Sequence, residues 1–305
     1  MLSFPLQKGT QEIAPYSPSL WKDLNHEGVM RLMAKRKQLR ALLCRAPRRV
    51  MLCHPHTPEF FHVLSLVAAR CRIMLTSDPK KSVDLAIAFN DTTSFPLDER
   101  LLSLKKNGRV LNGHCTDISK SRVEDIFESV FGYGIKVDPR TYVGKCLKKS
   151  DSNATHDGMV IECPKEPERG FVYQKLIDNT DDGKEYYDMR VFIVGATIPF
   201  VFKKIRNPNP ALRFGISIDN KIGETRDVLS AGEVETILKF THTCGLDFGE
   251  LDVLRDRTDG KIYVVDANNT AGCPHPGYQI SHSDFDTYTE RLAAAFAAEF
   301  LDGTC

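Results

Sequence analysis

Residues Gly245 to Gly272 read GLDFGELDVLRDRTDGKIYVVDANNTAG. They hold two apolar runs, each carrying an acid that a buried strand should not have. Asp252 sits inside Leu251-Asp252-Val253-Leu254, Asp266 follows Ile262-Tyr263-Val264-Val265, and Asn268 lies two residues further on. Between the runs, Arg257-Thr258-Asp259-Gly260 is a turn of the kind that closes a hairpin. If the runs pair as strands, alternation can bring the oxygens of Asp252, Asp266 and Asn268 onto one face. Two carboxylates and an amide converging in apolar surroundings repel one another unless a cation joins them. Mg²⁺ favours such hard oxygen donors together with substrate phosphates. The competing reading is a surface hairpin whose acids point to water, as most aspartates do.

Working outward, charge recurs inside apolar strands. Lys145 lies within Thr141-Tyr142-Val143-Gly144-Lys145-Cys146-Leu147. An ammonium buried there needs a counter-charge, which a phosphate supplies; the other reading is an edge-strand lysine reaching water. The polar stretch from Ser150 to Gly158 follows, and its backbone N–H groups can cover an anion. Asp188 and Arg190 fall on one face of Tyr187-Asp188-Met189-Arg190-Val191-Phe192-Ile193-Val194-Gly195, and an ordinary cross-strand ion pair is the plain reading of both. In Phe202-Lys203-Lys204-Ile205-Arg206 the two lysines alternate, so at most one faces a site. Arg206 and Arg213 are suited to bidentate recognition of carboxylate or phosphate.

Together these segments resemble the ATP-grasp superfamily, over roughly Asn112 to Gly277 and most closely from Gln174 onward. The resemblance extends to the carboxylate–amine ligase type that adds glutamate to a ribosomal protein. It implies an α/β (α+β) architecture: an N-terminal α/β domain with a parallel sheet, then two lobes clamping ATP. It implies Asp252, Asp266 and Asn268 as ligands of Mg²⁺, with Mn²⁺ as an alternative ion. Lys145 then reaches the α-phosphate, and Lys120, just before a helix, matches an earlier phosphate lysine. Gln174, Lys175, Leu176 and Ile177 resemble the hinge that reads adenine, and Asp188 the acid near the ribose. Arg190, Arg206 and Arg213 are implied at the transferred group. The sequence departs from the pattern in three places. The loop 150–158 has one glycine, Asp266 stands where many members have Glu, and Ala271 replaces a common proline. The implied reaction joins a small-molecule or peptide carboxylate to an amine through an acylphosphate, releasing ADP. The alternative is a small-molecule kinase of the inositol-phosphate type, echoed by Pro276-Gly277-Tyr278. His275 and Tyr278 are further candidates for substrate contact.

The bulk numbers agree with a globular enzyme. The chain has 305 residues, 42% hydrophobic and 27% charged, with a net charge of +1. That balance argues against nucleic acid as a partner. No apolar run approaches the ~20 residues that span a bilayer, so no membrane partner is expected. The first residues do not read as a signal peptide. Nine cysteines without a Cys-x-x-Cys pair suggest reduced thiols in a cytoplasmic protein. Oligomer statistics alone favour a homodimer.

The expected organisation is an arm over 1–24, an α/β domain over 25–111, a small lobe over 112–176 and a C-terminal lobe over 177–305. A helix with a basic face carrying Lys35, Arg36 and Lys37 is expected from His26 to Leu43. Strands alternate with helices from Arg49 to Leu111, the mark of a parallel sheet. The carboxyl ends of such strands hold ligands, which makes His54, His56, Asn90, Asp91 and Thr92 candidates. Asp117 is the expected N-cap of a helix running through Phe131. Close-spaced strands follow from Tyr142 to Ile205, then helices over Gly232–Thr243 and about Asp284–Phe300.

Overall fold

A computed structural model describes residues 49–59, 62–106, 110–155, 157–181, 185–206, 218–274 and 279–301, all within one compact unit, Ala46–Cys305. The arm, the basic helix, Arg213, His275 and the 276–278 segment fall outside the described residues.

Strands β1 (Arg49–Pro55), β2 (Ile73–Thr76), β3 (Leu85–Phe89) and β4 (Val110–Leu111) form a sheet in the order β2-β1-β3-β4. Every pairing in it is parallel. Met51, Leu52 and Cys53 are consecutive and all buried; such a run is what a sheet covered on both faces demands. Helix α1 (Val63–Arg70) covers one face and α2 (Glu99–Lys105) the other. Asp84, the one acid in an apolar run, lies just before β3, where its carboxylate accepts a bond from Val50 N at 2.7 Å.

Helix α3 (Lys120–Phe131) leads into a second sheet, β6 (Met159–Cys163), β5 (Gly144–Ser150) and β7 (Phe171–Lys175), antiparallel throughout. The cap of α3 is Ser119, whose Oγ accepts from Arg122 N at 3.4 Å. Asp117, expected as that cap, instead accepts from Ser119 N at 2.9 Å and braces the turn before the helix.

The third sheet has six strands. Its path is β11 (Asp219–Gly223), β10 (Val201–Ile205), β9 (Glu185–Val194), β12 (Phe248–Arg255) and β13 (Ile262–Asn268), with β8 (Thr180–Asp181) paired to β9. Odd-numbered Met189, Val191, Ile193, Leu251 and Val253 bury one face against α3 and α5 (Ala231–Cys244), which follows the one-turn helix α4 (Thr225–Val228). Phe192 and Val194 lie on the other face, among Phe200, Phe202 and Tyr288 of α6 (His282–Phe300). That even-numbered face is apolar at one end of β9; at the other it presents Arg190 and Asp188 to a cavity. A capping box between Ser230 and Glu233 starts α5, and Ser281 caps α6.

The 245–272 stretch forms the expected hairpin. Asp256 Oδ1 accepts from Thr258 N at 3.0 Å, and Gly260 closes the turn at φ +71°. Among the described residues no helix is long and apolar enough to cross a membrane. Cys71 is disulfide-bonded, which corrects the expectation that all thiols are reduced. Cys53, Cys115, Cys146, Cys163, Cys244 and Cys273 are free thiols.

Candidate nucleotide and metal site

A cavity of about 580 Å³ opens between the small sheet and the large one. The small sheet contributes Leu147 and Lys149 of β5, the loop residues Ala154, Thr155, Asp157 and Gly158, and Gln174 and Lys175 of β7. Leu176, Ile177 and Asn179 form the connection to the large sheet. The large sheet contributes Asp188 and Arg190 from β9, Lys204 from β10, Asp252 from β12, and Val265 and Asp266 from β13.

The hairpin brings the acids together by register. Asp252 faces Asp266 across β12 and β13, and Glu250 faces Asn268. The register shifts by one residue just after Asp252. This bulge lets neighbouring Val265 and Asp266 both reach the cavity, which strict alternation forbids. Gly249 makes the close approach of the strands feasible. A Cβ built there would collide with the Asn268 carbonyl oxygen and lie 2.8 Å from Leu246 Cδ1.

Three cations and three acids interlock at and behind the large-sheet side of the cavity. Arg190 reaches Glu250 Oε1 at 3.0 Å and Asp252 Oδ1 at 3.2 Å. Lys204 Nζ meets the same Asp252 at 3.2 Å. Arg206 Nε donates to Asp188 Oδ2 at 2.5 Å, and Asn179 Nδ2 to Asp188 Oδ1 at 2.9 Å. Lys149 faces them from β5 of the small sheet; burial lowers its pKa, and the Asp266 carboxylate works against that shift. Burial likewise lowers the Lys204 pKa, opposed by Asp252. Burial works against ionised Asp252, yet Lys204, Arg190 and Arg206 hold its carboxyl well below the usual carboxylate range. Asp266 moves the other way, raised chiefly by burial.

The donor set suits a hard cation. Asp266 Oδ1 is buried without a hydrogen-bond partner, and such an orphaned oxygen is rare in folded proteins. Among the described residues no three His, Cys, Asp or Glu side chains converge as a ready-made metal cage. The set is two facing carboxylates with an amide beyond them. Mg²⁺ is held in that manner, by one or two carboxylates plus substrate phosphates. Asn268 is the least free of the three expected ligands. Its Oδ1 accepts from Thr270 N at 3.1 Å, and its Nδ2 donates to Glu250 Oε1 at 3.4 Å.

The other expected residues divide. Lys120 is 6% exposed, lines the cavity and donates from Nζ to Ser152 O at 2.6 Å. That bond ties it to the loop 150–158, which Asn153 anchors at Thr93 Oγ1 (2.9 Å) and at Ala267 O (3.4 Å). Gln174, Lys175, Leu176 and Ile177 all line the cavity. Gln174 Nε2 donates to Glu124 at 2.7 Å. Burial alone would lower the Lys175 pKa, but Tyr263, Asp259 and Asp256 carry it above its ordinary value. Lys145 is exposed and does not line the cavity. It shares a strand face with Leu147 and Lys149 but sits a full turn of the pleat too early. Of the two lysines of β10, Lys204 faces the site. Lys203 pairs with Asp181 at 2.8 Å and lies over the Tyr187 ring. His54 pairs with Asp98 at 2.7 Å, and Asn90 Oδ1 caps Thr92 N at 2.9 Å. Neither these nor His56, Asp91 and Thr92 line the cavity.

Sequence reading missed Lys149, Lys204 as the site-facing lysine, and Glu250. The signal for Glu250 was present: Glu250-Leu251-Asp252 has two acids at strand period.

No family model matches the sequence, and no curated protein matches it. Solved structures do. The chain is similar to the ATP-grasp ligase PsnB complexed with minimal precursor, at 15% identity over 83% of this chain and 99% of that one, with a TM-score of 0.53. A structure of PsnB with minimal precursor, Mg and ADP aligns at 14% identity over 82% and 96%, TM-score 0.53. D-alanine–D-alanine ligase from Bacillus anthracis complexed with ATP aligns at 11% identity over 84% and 98%, TM-score 0.51. Likeness at such identities speaks to the fold.

Proposed function

We propose that the chain, which has the ATP-grasp fold, is an ATP- and Mg²⁺-dependent ligase that joins a carboxylate to an amine. The observation that carries this is the pairing of opposites across one cavity. Lys120 and Lys149 stand on the small-lobe side, and the Asp252–Asp266 pair faces them from the large sheet. A triphosphate with a divalent ion is the ligand that satisfies both. The solved PsnB and D-alanine–D-alanine ligase structures hold Mg and ADP, and ATP, respectively. On this reading residues 112–176 and 177–305 close on the nucleotide.

In the proposed reaction, a carboxylate oxygen of the acid attacks the γ-phosphorus, and the bond from that phosphorus to the β-phosphate bridge breaks. ADP leaves and an acylphosphate forms. The amine nitrogen then attacks the acyl carbon, phosphate departs, and the nitrogen loses a proton. Lys120 and Lys149 hold and neutralise the phosphates. The connection Gln174–Ile177 receives adenine, with Asp188 near the ribose. Arg190, Lys204 and Arg206 present positive charge where the acid loads and where negative charge develops. Arg213 is proposed for the same task. When bound at Asp252, Asp266 and Asn268, Mg²⁺ or Mn²⁺ supplies Lewis acidity and alignment of phosphate oxygens. Catalysis is positioning and electrostatics, with no covalent enzyme intermediate.

The test is a product-resolved mass-spectrometric screen of the purified full chain with Mg·ATP, acids, amines and polyols. ADP together with an amide supports the ligase. Phosphate esters without an amide make it a kinase of the same fold.

A further inference from the structure

Glu250 is buried to 2% exposure at the back of the site, two residues before Asp252 on β12. It does not line the cavity. Its Oε1 accepts from Arg190 Nη1 at 3.0 Å and from Asn268 Nδ2 at 3.4 Å, while Oε2 has no partner. A carboxylate buried this deeply is costly to keep unless its charge is used. Arg190 is shared between two acids, Glu250 from behind and Asp252 beside the cavity. Asp252 has competing obligations: it also pairs with Lys204, and it is a proposed metal ligand.

We infer that Glu250 is a positioning residue. It fixes the Arg190 guanidinium toward the cavity independently of Asp252. Arg190 thereby stays oriented for an anionic group in the cavity whatever Asp252 is bound to. This rests on the proposed function, because the anion it serves is the transferred phosphoryl group or the acid. Partners that orient metal-ligating groups from behind typically account for roughly 10–100-fold in affinity or activity, and the same order is expected for an arginine held in this way.

The test is calorimetric and needs no identified substrate. ADP binding with Mg²⁺ is measured first, then orthophosphate binding at saturating Mg·ADP. The proteins are the wild type, Glu250→Gln, Glu250→Asp, Arg190→Gln and the Arg190→Gln/Glu250→Gln double variant. The expected result is ADP affinity in Glu250→Gln within about twofold of wild type and orthophosphate affinity lowered roughly tenfold or more. The double variant should lose no more than Arg190→Gln alone, because Glu250 acts through Arg190. Glu250→Asp, which keeps the charge, should recover part of the loss. The inference is overturned if Glu250→Gln binds orthophosphate like wild type, if the two losses add, or if wild type with Mg·ADP takes up no orthophosphate. Wild type that binds no ADP would instead overturn the proposed function.

Discussion

Asp252 and Asp266 stand directly opposite each other across β12 and β13, at the last register pair before the bulge. The two carboxylates are held differently. Asp252 is locked by Lys204 and Arg190 and kept ionised. Asp266 has an oxygen without a partner and a pKa raised by burial. Asp266 is therefore the acid whose charge most needs a cation.

Replacing Asp266 by Asn should have opposite effects on stability and turnover. Without metal, Asp266→Asn removes a poorly solvated charge and should raise the thermal midpoint. Added Mg²⁺ should stabilise the wild type and leave the variant unchanged. Turnover, once the substrates are known, should fall more than ~100-fold for Asp266→Ala or Asn268→Ala. Thermal scans with and without Mg²⁺ check the first part. An equal Mg²⁺ effect on both proteins would argue against the metal site.

Lys149 and Lys145 make a matched pair for testing strand register. Lys149→Ala should weaken ATP binding roughly tenfold or more, as expected for a lost bond to a charged group. Lys145→Ala should change it by less than about twofold, since Lys145 is exposed and outside the cavity. Calorimetric titration of both variants settles the order.

Much of this site was legible because hairpin chemistry is local. The Arg257–Gly260 turn fixes the pairing of β12 and β13, and period-two alternation then places Asp252, Asp266 and Asn268 together. Gln174 to Ile177 were singled out by the resemblance alone, and the structure places all four on the cavity wall. Lys149 was not legible. Alternation assigns Lys145 and Lys149 one face but does not say how far along β5 the cavity begins, which depends on how the small sheet lies over the large one. Glu250 was missed because its neighbour Arg190 comes from a strand 60 residues earlier in the chain, as the Arg190–Glu250 pair shows. Asp117 misled because Asp is as good a cap as Ser, and only the backbone decides between adjacent candidates. The Cys71 disulfide escaped notice because cysteine count and spacing do not determine which sulfurs meet.

Glu250 should also leave a mark on stability as pH changes. Burial pushes its pKa from 4.5 up to about 7, with Arg190 opposing the shift. Between those values the folded chain binds a proton more readily than the unfolded one, so this contribution to stability is lost as pH rises from 4.5 to about 7. The expected loss is on the order of 3 kcal/mol. Asp252 is shifted downward and acts only below its ordinary 3.8, so the two windows are separate. Denaturant titrations of wild type and Glu250→Gln across this range should diverge with pH. Parallel curves would contradict the assignment.

Gly249 tests whether the close approach of the strands matters. Gly249→Ala drives a methyl into the Asn268 carbonyl oxygen and against Leu246. It should cost about 1–3 kcal/mol of stability and weaken the response to Mg²⁺ in the same thermal scans. A variant as stable as wild type would show that β13 has room to move.

The central claim is that one cavity grips a nucleotide's phosphates between lysines and a metal-bearing acid pair. Calorimetric titration of the full chain with ADP, with and without Mg²⁺, addresses it most directly. The account predicts saturable binding that tightens markedly with Mg²⁺, and loss of that tightening in Asp252→Asn and Asp266→Asn. A folded protein that takes up no ADP, or binds it equally well with and without the ion, would contradict it.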